Sequence, residues 1–263
     1  MTLQSVLHRD LCQHCALSDA CFASPKDGTA GFTQKSHRVY HRGESLFSMG
    51  DPFDALYVVR AGSAKSFLSS SRGDEQISGF FHPGDMIGAD GFDTMTHAHS
   101  LKFLETSSVC RISVGELNKA LGESALMRQQ LLKSMSRALV DEQQLLLSVG
   151  KFNSEQRLAK FLLDLSSRFE QRGLSAKVFD LSMTRIDIAN FLGMAIETIS
   201  RLLGKMQHQG MINVNRRQIS LLNKDLLRNC LNEDDETKWA KSLQPHVTQM
   251  EIAKSRIAVQ SLS

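Results

Sequence analysis

The stretch Arg128 to Gly150, RQQLLKSMSRALVDEQQLLLSVG, limits the fold more than any other part of the chain. Its apolar residues Leu132, Met135, Leu139, Leu146 and Val149 recur at steps of three, four, seven and three, with Glu142 set in the gap. That spacing is a heptad seam on one helix. A stripe this narrow on a helix of roughly 25 residues is too long to close a small core and reads as a self-pairing surface. The other reading is an amphipathic helix lying on its own domain with Glu142 at the edge of the stripe. A carboxylate inside a pairing seam weakens association unless it is neutralised or bridged.

The chain of 263 residues has room on either side of this helix for two small domains with separate cores. A hydrophobic content of 41% and a mean hydropathy of -0.21 fit a soluble globular protein. No apolar run approaches the roughly 20 residues of a membrane span, and the opening MTLQSVLHRDLC lacks the features of an export signal. The expectation is a cytoplasmic protein with no membrane partner. The net charge of +3 is unevenly spread: residues 1–150 hold 14 basic and 16 acidic side chains, residues 151–232 hold 13 and 7, and the remainder 4 and 5. A basic block of this kind suggests a nucleic-acid footprint.

Five cysteines is an odd number, and without an export signal a disulfide framework is not expected. Cys12, Cys15 and Cys21 form a C-x2-C-x5-C arm that lets three thiolates converge on one inorganic centre. Cys110, in LETSSVC, is the obvious fourth donor, because Cys230 lies beyond the long helix and reads as ordinary packing. Four thiolates suit an iron-sulfur cluster or a structural zinc, and spacing alone does not separate the two. His14 is either a substitute ligand or an exposed loop residue.

From His37 to Ile112 short alternating runs such as ALYVVRAG and EQISGFF are interrupted by glycines, the pattern of a small antiparallel β-roll. Ser113 and Glu116 make a capping box for a short helix ending near Gly122. After Gly150 a helix with apolar residues at 158, 161, 162, 165 and 169 is closed by Gly173. Thr184 with Asp187 then caps a short helix through Leu192, Gly193 makes the turn, and a second helix buries Ile199, Leu202, Leu203 and Met206. Its other face shows Glu197, Ser200, Arg201 and Lys205, which is a helix-turn-helix pattern. MINVNRRQISLL reads as a β-hairpin wing turning at Asn215 and Arg216. The fold class is therefore α+β, divided into a cysteine arm (1–36), a β-roll (37–122), a dimerisation helix (123–150), a winged helix-turn-helix (151–232) and a C-terminal extension (233–263).

This order of parts resembles the cyclic-AMP receptor protein family, in the branch named for the fumarate and nitrate reductase regulator. The resemblance rests on the cysteine spacing, GDEQISGFFHPGDMIG, LETSSVC and TRIDIANFLGMAIETISRLLGKMQHQGM, and runs from Cys12 to Leu231. It implies a transcription regulator in which Cys12, Cys15, Cys21 and Cys110 hold an oxygen-labile [4Fe-4S] cluster. With the cluster present, the long helices pair and the homodimer binds a palindrome resembling TTGAT-N4-ATCAA. When oxygen or nitric oxide degrades the cluster, pairing weakens, and Glu142 matches a family carboxylate that discourages pairing in that state. The family also implies a contact with RNA polymerase, for which the turn at Arg72, Gly73 and Asp74 is the candidate.

The chemistry of single residues agrees with this. Glu197 can accept from a cytosine amino group, Arg201 can donate twice to guanine, and Ser200 can reach a neighbouring base edge. The plainer reading makes Glu197 and Arg201 an exposed pair on an ordinary helix. Arg185, Thr198, Lys205, Arg216 and Arg217 are candidates for phosphate contacts, or solvated surface. A cyclic nucleotide is not expected, since FFHPGDMIGADGF followed by HAHSLKF lacks the glutamate and arginine-serine pair that nucleotide-binding relatives use. No catalytic grouping stands out among nine histidines, so no enzyme is expected. A milder alternative keeps DNA binding but makes zinc, or no metal, the resident state with a different signal.

Overall fold

The computed structural model describes residues 36–231. The arm cysteines Cys12, Cys15 and Cys21 and the 233–263 extension lie outside the described residues.

Eight strands form the roll as two four-stranded antiparallel sheets. The first has the order β1-β8-β3-β6, with β1 Ser36–Tyr40, β8 Ser107–Ser113, β3 Ala55–Ala61 and β6 Met86–Ile87. The second has the order β2-β7-β4-β5, with β2 Ser45–Phe47, β7 Ser100–Phe103, β4 Ala64–Ser69 and β5 Glu75–Phe81. Strand β3 is buried from Ala55 through Val59 because its two faces meet different cores. Ala55, Tyr57 and Val59 face a core shared with Phe47, Leu101 and Phe103, whereas Leu56 and Val58 face the helices beyond. Gly62 makes the β3–β4 turn at φ 82°, where a Cβ would lie 2.2 Å from the Ser107 hydroxyl oxygen, so no other residue fits.

Helix α1, Val114–Glu123, starts with the Ser113/Glu116 capping box read from the sequence. Helix α2, Ala125–Lys151, follows after Ser124, whose hydroxyl accepts from the Met127 amide. Its root is held by the roll: Met127 and Leu131 join Leu56, Val58, Ile112 and Leu117.

Helix α3, Ser154–Gln171, opens the second domain with an Asn153/Gln156 capping box. Strand β9, Val178–Asp180, then joins β10, Ile212–Asn215, and β11, Gln218–Leu221, in a three-stranded sheet of order β10-β11-β9. Helices α4, Arg185–Leu192, and α5, Ile196–His208, lie between, and α6, Lys224–Asn229, closes the domain against α3. The expected hairpin wing is present; β9, too short to show a period, was not foreseen.

The two domains share one apolar cluster, in which Phe67, Ile77 and Phe80 of the roll pack with Leu158, Phe161 and Ile188. The Phe80 ring lies 5.0 Å from Phe191 and 6.2 Å from Phe161. Two polar clamps flank it. Asn190 of α4 donates to Glu75 O at 2.7 Å and accepts from the Ile77 amide at 2.7 Å, capping the edge strand β5. Lys65 Nζ meets Asp187 Oδ1 at 2.8 Å.

Candidate nucleic-acid interface

Thr184 caps α4 through the Asp187 amide, while the Asp187 carboxylate accepts from the Thr184 amide and hydroxyl. Burial would raise the Asp187 carboxyl, but Lys65 and Thr184 bind it and hold it below its ordinary value. The helix ends at Gly193, whose φ of 62° is the left-handed turn that glycine permits. Helix α5 then buries Ile199, Leu203 and Met206 with Leu202 half-buried, the face expected from the spacing. Glu197, Arg201 and Lys205 are exposed along the opposite face, with Ser200 and Thr198 half-buried beside them. Such a helix can offer an acceptor, a hydroxyl and a guanidinium to base edges in a major groove.

Several of these groups already have partners. Arg201 Nη2 lies 3.4 Å from Thr198 Oγ1, and Arg185 Nη1 donates to Ser200 Oγ at 3.3 Å, so the Arg185 guanidinium steadies the Ser200 hydroxyl. Lys205 Nζ is 2.6 Å from Glu155 Oε2 on α3. The wing turns on Arg216, exposed at φ 56°. Arg217 instead turns back, donating from Nε to Leu181 O at 2.9 Å and from Nη2 to Ser182 O, which braces the wing against the approach to α4.

On α2 the stripe is open to solvent. Leu132, Leu139 and Leu146 are 67%, 57% and 73% exposed, Met135 and Val149 are 38% exposed, and Glu142 stands exposed among them. Among the described residues none covers Leu132, Leu139 or Leu146, whereas Val149 at the end of the stripe lies beside the Gly193 turn. Arg72, Gly73 and Asp74 form the exposed β4–β5 turn, ordered by the Ser70 hydroxyl, which accepts from the Arg72 and Asp74 amides at 3.2 Å each.

Among the described residues no group of three or more His, Cys, Asp or Glu side chains is placed to hold a metal. Of the four expected thiolates only Cys110 is described. It is half-buried on β8, between His37 of β1 and Val58 of β3 in register, and packs against the cluster that holds Met127 and Leu131. Strand β1 runs beside Cys110, and the neighbouring apolar cluster includes Met127 and Leu131 at the root of α2. Cys230 is packing, as expected, with Sγ 3.9 Å from Met211 Sδ.

Two charged networks were not foreseen. At the junction of roll, α2 and α3, Arg172 meets Asp85 at 2.5 Å and Arg168 meets Asp141 at 2.7 Å. Burial raises the Asp141 carboxyl against the pull of Arg168. Burial likewise pushes the adjacent His82 imidazole down to about 4, with Arg172 and Arg168 adding to the effect and Asp85 opposing it. In the roll, Asp90 lies between His99 Nδ1 at 3.1 Å and His97 Nδ1 at 3.4 Å and accepts from the Ala98 amide. Burial would raise Asp90, yet these contacts lower it to about 2. Carboxylates so placed carry no signature in a single sequence, since their partners come from other elements.

Known proteins share this arrangement. Residues 37–146 match the cyclic nucleotide-binding domain family, and residues 156–230 match the Crp-like helix-turn-helix domain family. The fumarate nitrate reduction regulatory protein of Klebsiella oxytoca is 40% identical over 228 residues, covering 82% of this chain and 88% of that protein. Electron transport regulator A of Shewanella oneidensis is 39% identical over 216 residues, covering 80% and 86%. Among solved structures, FixK2 from Bradyrhizobium japonicum aligns with a TM-score of 0.70 at 28% identity, over 75% of this chain and 97% of that one.

Proposed function

Because this chain belongs to the CRP/FNR family of transcription regulators, in its fumarate and nitrate reduction branch, we propose that it is an oxygen- or redox-responsive regulator acting as a homodimer. The observation that carries this reading is the open apolar stripe on α2 beside a reader helix whose Glu197 and Arg201 stand in solvent. Two copies pairing along α2 present two readers, as a palindrome resembling TTGAT-N4-ATCAA requires. Glu197, Ser200 and Arg201 read bases; Arg185, Thr198, Lys205, Arg216 and the remaining donors of Arg217 meet phosphates.

Cys12, Cys15, Cys21 and Cys110 hold a [4Fe-4S] cluster in this reading. The cluster supplies an inorganic centre that oxygen, or nitric oxide, destroys. The chain's own part is to bring the arm onto β8 at the root of α2, where Cys110 packs with the cluster of Met127 and Leu131. Glu142 keeps the seam from pairing unaided, because a charge must lose its water there. The working units are the arm, the roll at 37–122, the pairing helix at 123–150 and the DNA-binding segment at 151–232, with the turn Arg72–Asp74 meeting RNA polymerase. A cyclic nucleotide has no part in this reading, since FFHPGDMIGADGF followed by HAHSLKF lacks the glutamate and arginine-serine pair that nucleotide-binding relatives use. The protein works in the cytoplasm; among the described residues no helix is long and apolar enough to cross a membrane.

Purification under strict exclusion of air, with iron and sulfide analysis and operator binding before and after exposure to air, tests the reading. Visible colour, about four irons per protomer and binding lost together in air are expected. Colourless zinc protein that binds DNA regardless of air would favour the alternative of a structural metal.

A further inference from the structure

One guanidinium joins the end of the pairing helix to the turn of the helix-turn-helix. Arg157, half-buried in the first turns of α3, donates through Nη2 to Val149 O at 2.7 Å and through Nε to Phe152 O at 2.9 Å. Both carbonyls belong to the C-terminal end of α2, and Val149 is the last residue of the seam. Its Nη1 reaches Leu192 O at 3.1 Å and Gly193 O at 3.5 Å, the C-terminal carbonyls of α4. At Gly193 a Cβ would lie 3.7 Å from Arg157 Nη1 and 3.8 Å from Val149 Cγ1, so seam, guanidinium and turn meet at one point.

The last carbonyls of a helix have no partner within it and carry the negative end of its dipole. Arg157 places one delocalised cation where two such ends converge, and its planar fork satisfies both at once. A lysine has a single charged nitrogen and serves one end well. The turn it grips leads directly into α5, so the reader inherits its position from the end of the seam.

We propose that Arg157 is a positioning residue that fixes the spacing of the two readers to the pairing of the α2 helices. It touches no DNA in this role. The proposal rests on the homodimer reading above, and the test separates the two. Full-length protein purified without air, with Arg157→Ala and Arg157→Lys, is titrated with three duplexes: the palindrome TTGAT-N4-ATCAA, the same half-sites one pair further apart, and a single half-site. Sedimentation reports pairing, and thermal melts report folding.

In Arg157→Ala, pairing and single half-site affinity should match the parent. Palindrome affinity should fall by about tenfold, because loosely held readers lower the effective concentration of the second contact. The preference for the shorter spacing should shrink with it, and Arg157→Lys should fall between. Unchanged palindrome affinity and spacing preference in Arg157→Ala would overturn the proposal, as would an equal loss on the single half-site. If Arg157→Ala does not fold, Arg157→Lys decides: a folded dimer with the parent's spacing preference overturns it. A parent that neither pairs nor binds the palindrome counts against the proposed function, not against this coupling.

Discussion

Truncating Leu146 to alanine tests the pairing face where it is most exposed. Leu146 leaves 73% of its surface in water, and none of the described residues covers it. Fully burying a leucine side chain contributes about 1.5–3 kcal/mol. Scaled by that exposure and taken once from each protomer, closing the seam over Leu146 is worth about 2–4 kcal/mol per dimer. Leu146→Ala should therefore raise the dimer dissociation constant by roughly 30- to 1000-fold. It should barely affect folding of the monomer, since a residue already in water loses no packing on truncation. Sedimentation velocity across a concentration series, on protein kept free of air, measures the change. Leu222 is the control: it is 62% exposed in the DNA-binding domain, away from the stripe, and Leu222→Ala should leave pairing as it was. Equal effects from the two substitutions, or none from Leu146→Ala, would refute the assignment of this face.

Other expectations follow from the same geometry. Glu142→Ala should strengthen pairing in air-exposed protein, because a charge that must be desolvated is replaced by a methyl group; sedimentation as a monomer indistinguishable from the parent would count against it. Arg201→Ala should cost about 1–3 kcal/mol on the palindrome and little on random DNA, whereas an equal loss on both would assign Arg201 to phosphate. Asn190→Ala should cost about 1–3 kcal/mol by leaving the Ile77 amide and Glu75 carbonyl of β5 without their partner, read as faster hydrogen exchange along β5; unchanged exchange there would remove the clamp. His82 is buried and holds its imidazole down to about 4, so the unfolded chain binds the extra proton between that value and the ordinary 6.5. Stability should be complete above the ordinary value and fall by about 3 kcal/mol as pH drops through this window. A His82→Gln variant that loses the same amount over the same range would show that the titrating group lies elsewhere.

How much of this was legible in the sequence depends on how local each signal was. The capping pairs Ser113/Glu116 and Thr184/Asp187 lie three residues apart on one helix turn, and both are present. The buried face of α5 repeats at the helical period and emerged as read. The open stripe on α2 was legible as too narrow for a core, although a single chain could not say whether its own domain covers it. What the sequence concealed lies between elements. Asn190 reads as an ordinary polar residue of a short helix until β5 supplies the edge it caps. Arg157 looks like one more basic residue of an amphipathic helix, because its acceptors at Val149 and Leu192 are carbonyls, which no side-chain pattern announces. Arg217 carries the same charge as Arg216, yet turns inward to Leu181 because the wing brings it beside that carbonyl.

The coupling between the thiolate centre and the seam is tested most directly by sedimentation of the full chain with visible absorbance recorded in the same cell, first without oxygen and then after its admission. The account predicts a coloured dimer that becomes a colourless monomer, and no coloured dimer when any one of Cys12, Cys15, Cys21 or Cys110 is replaced by serine. A colourless, iron-free protein prepared without air that is nonetheless dimeric and grips the palindrome would contradict it.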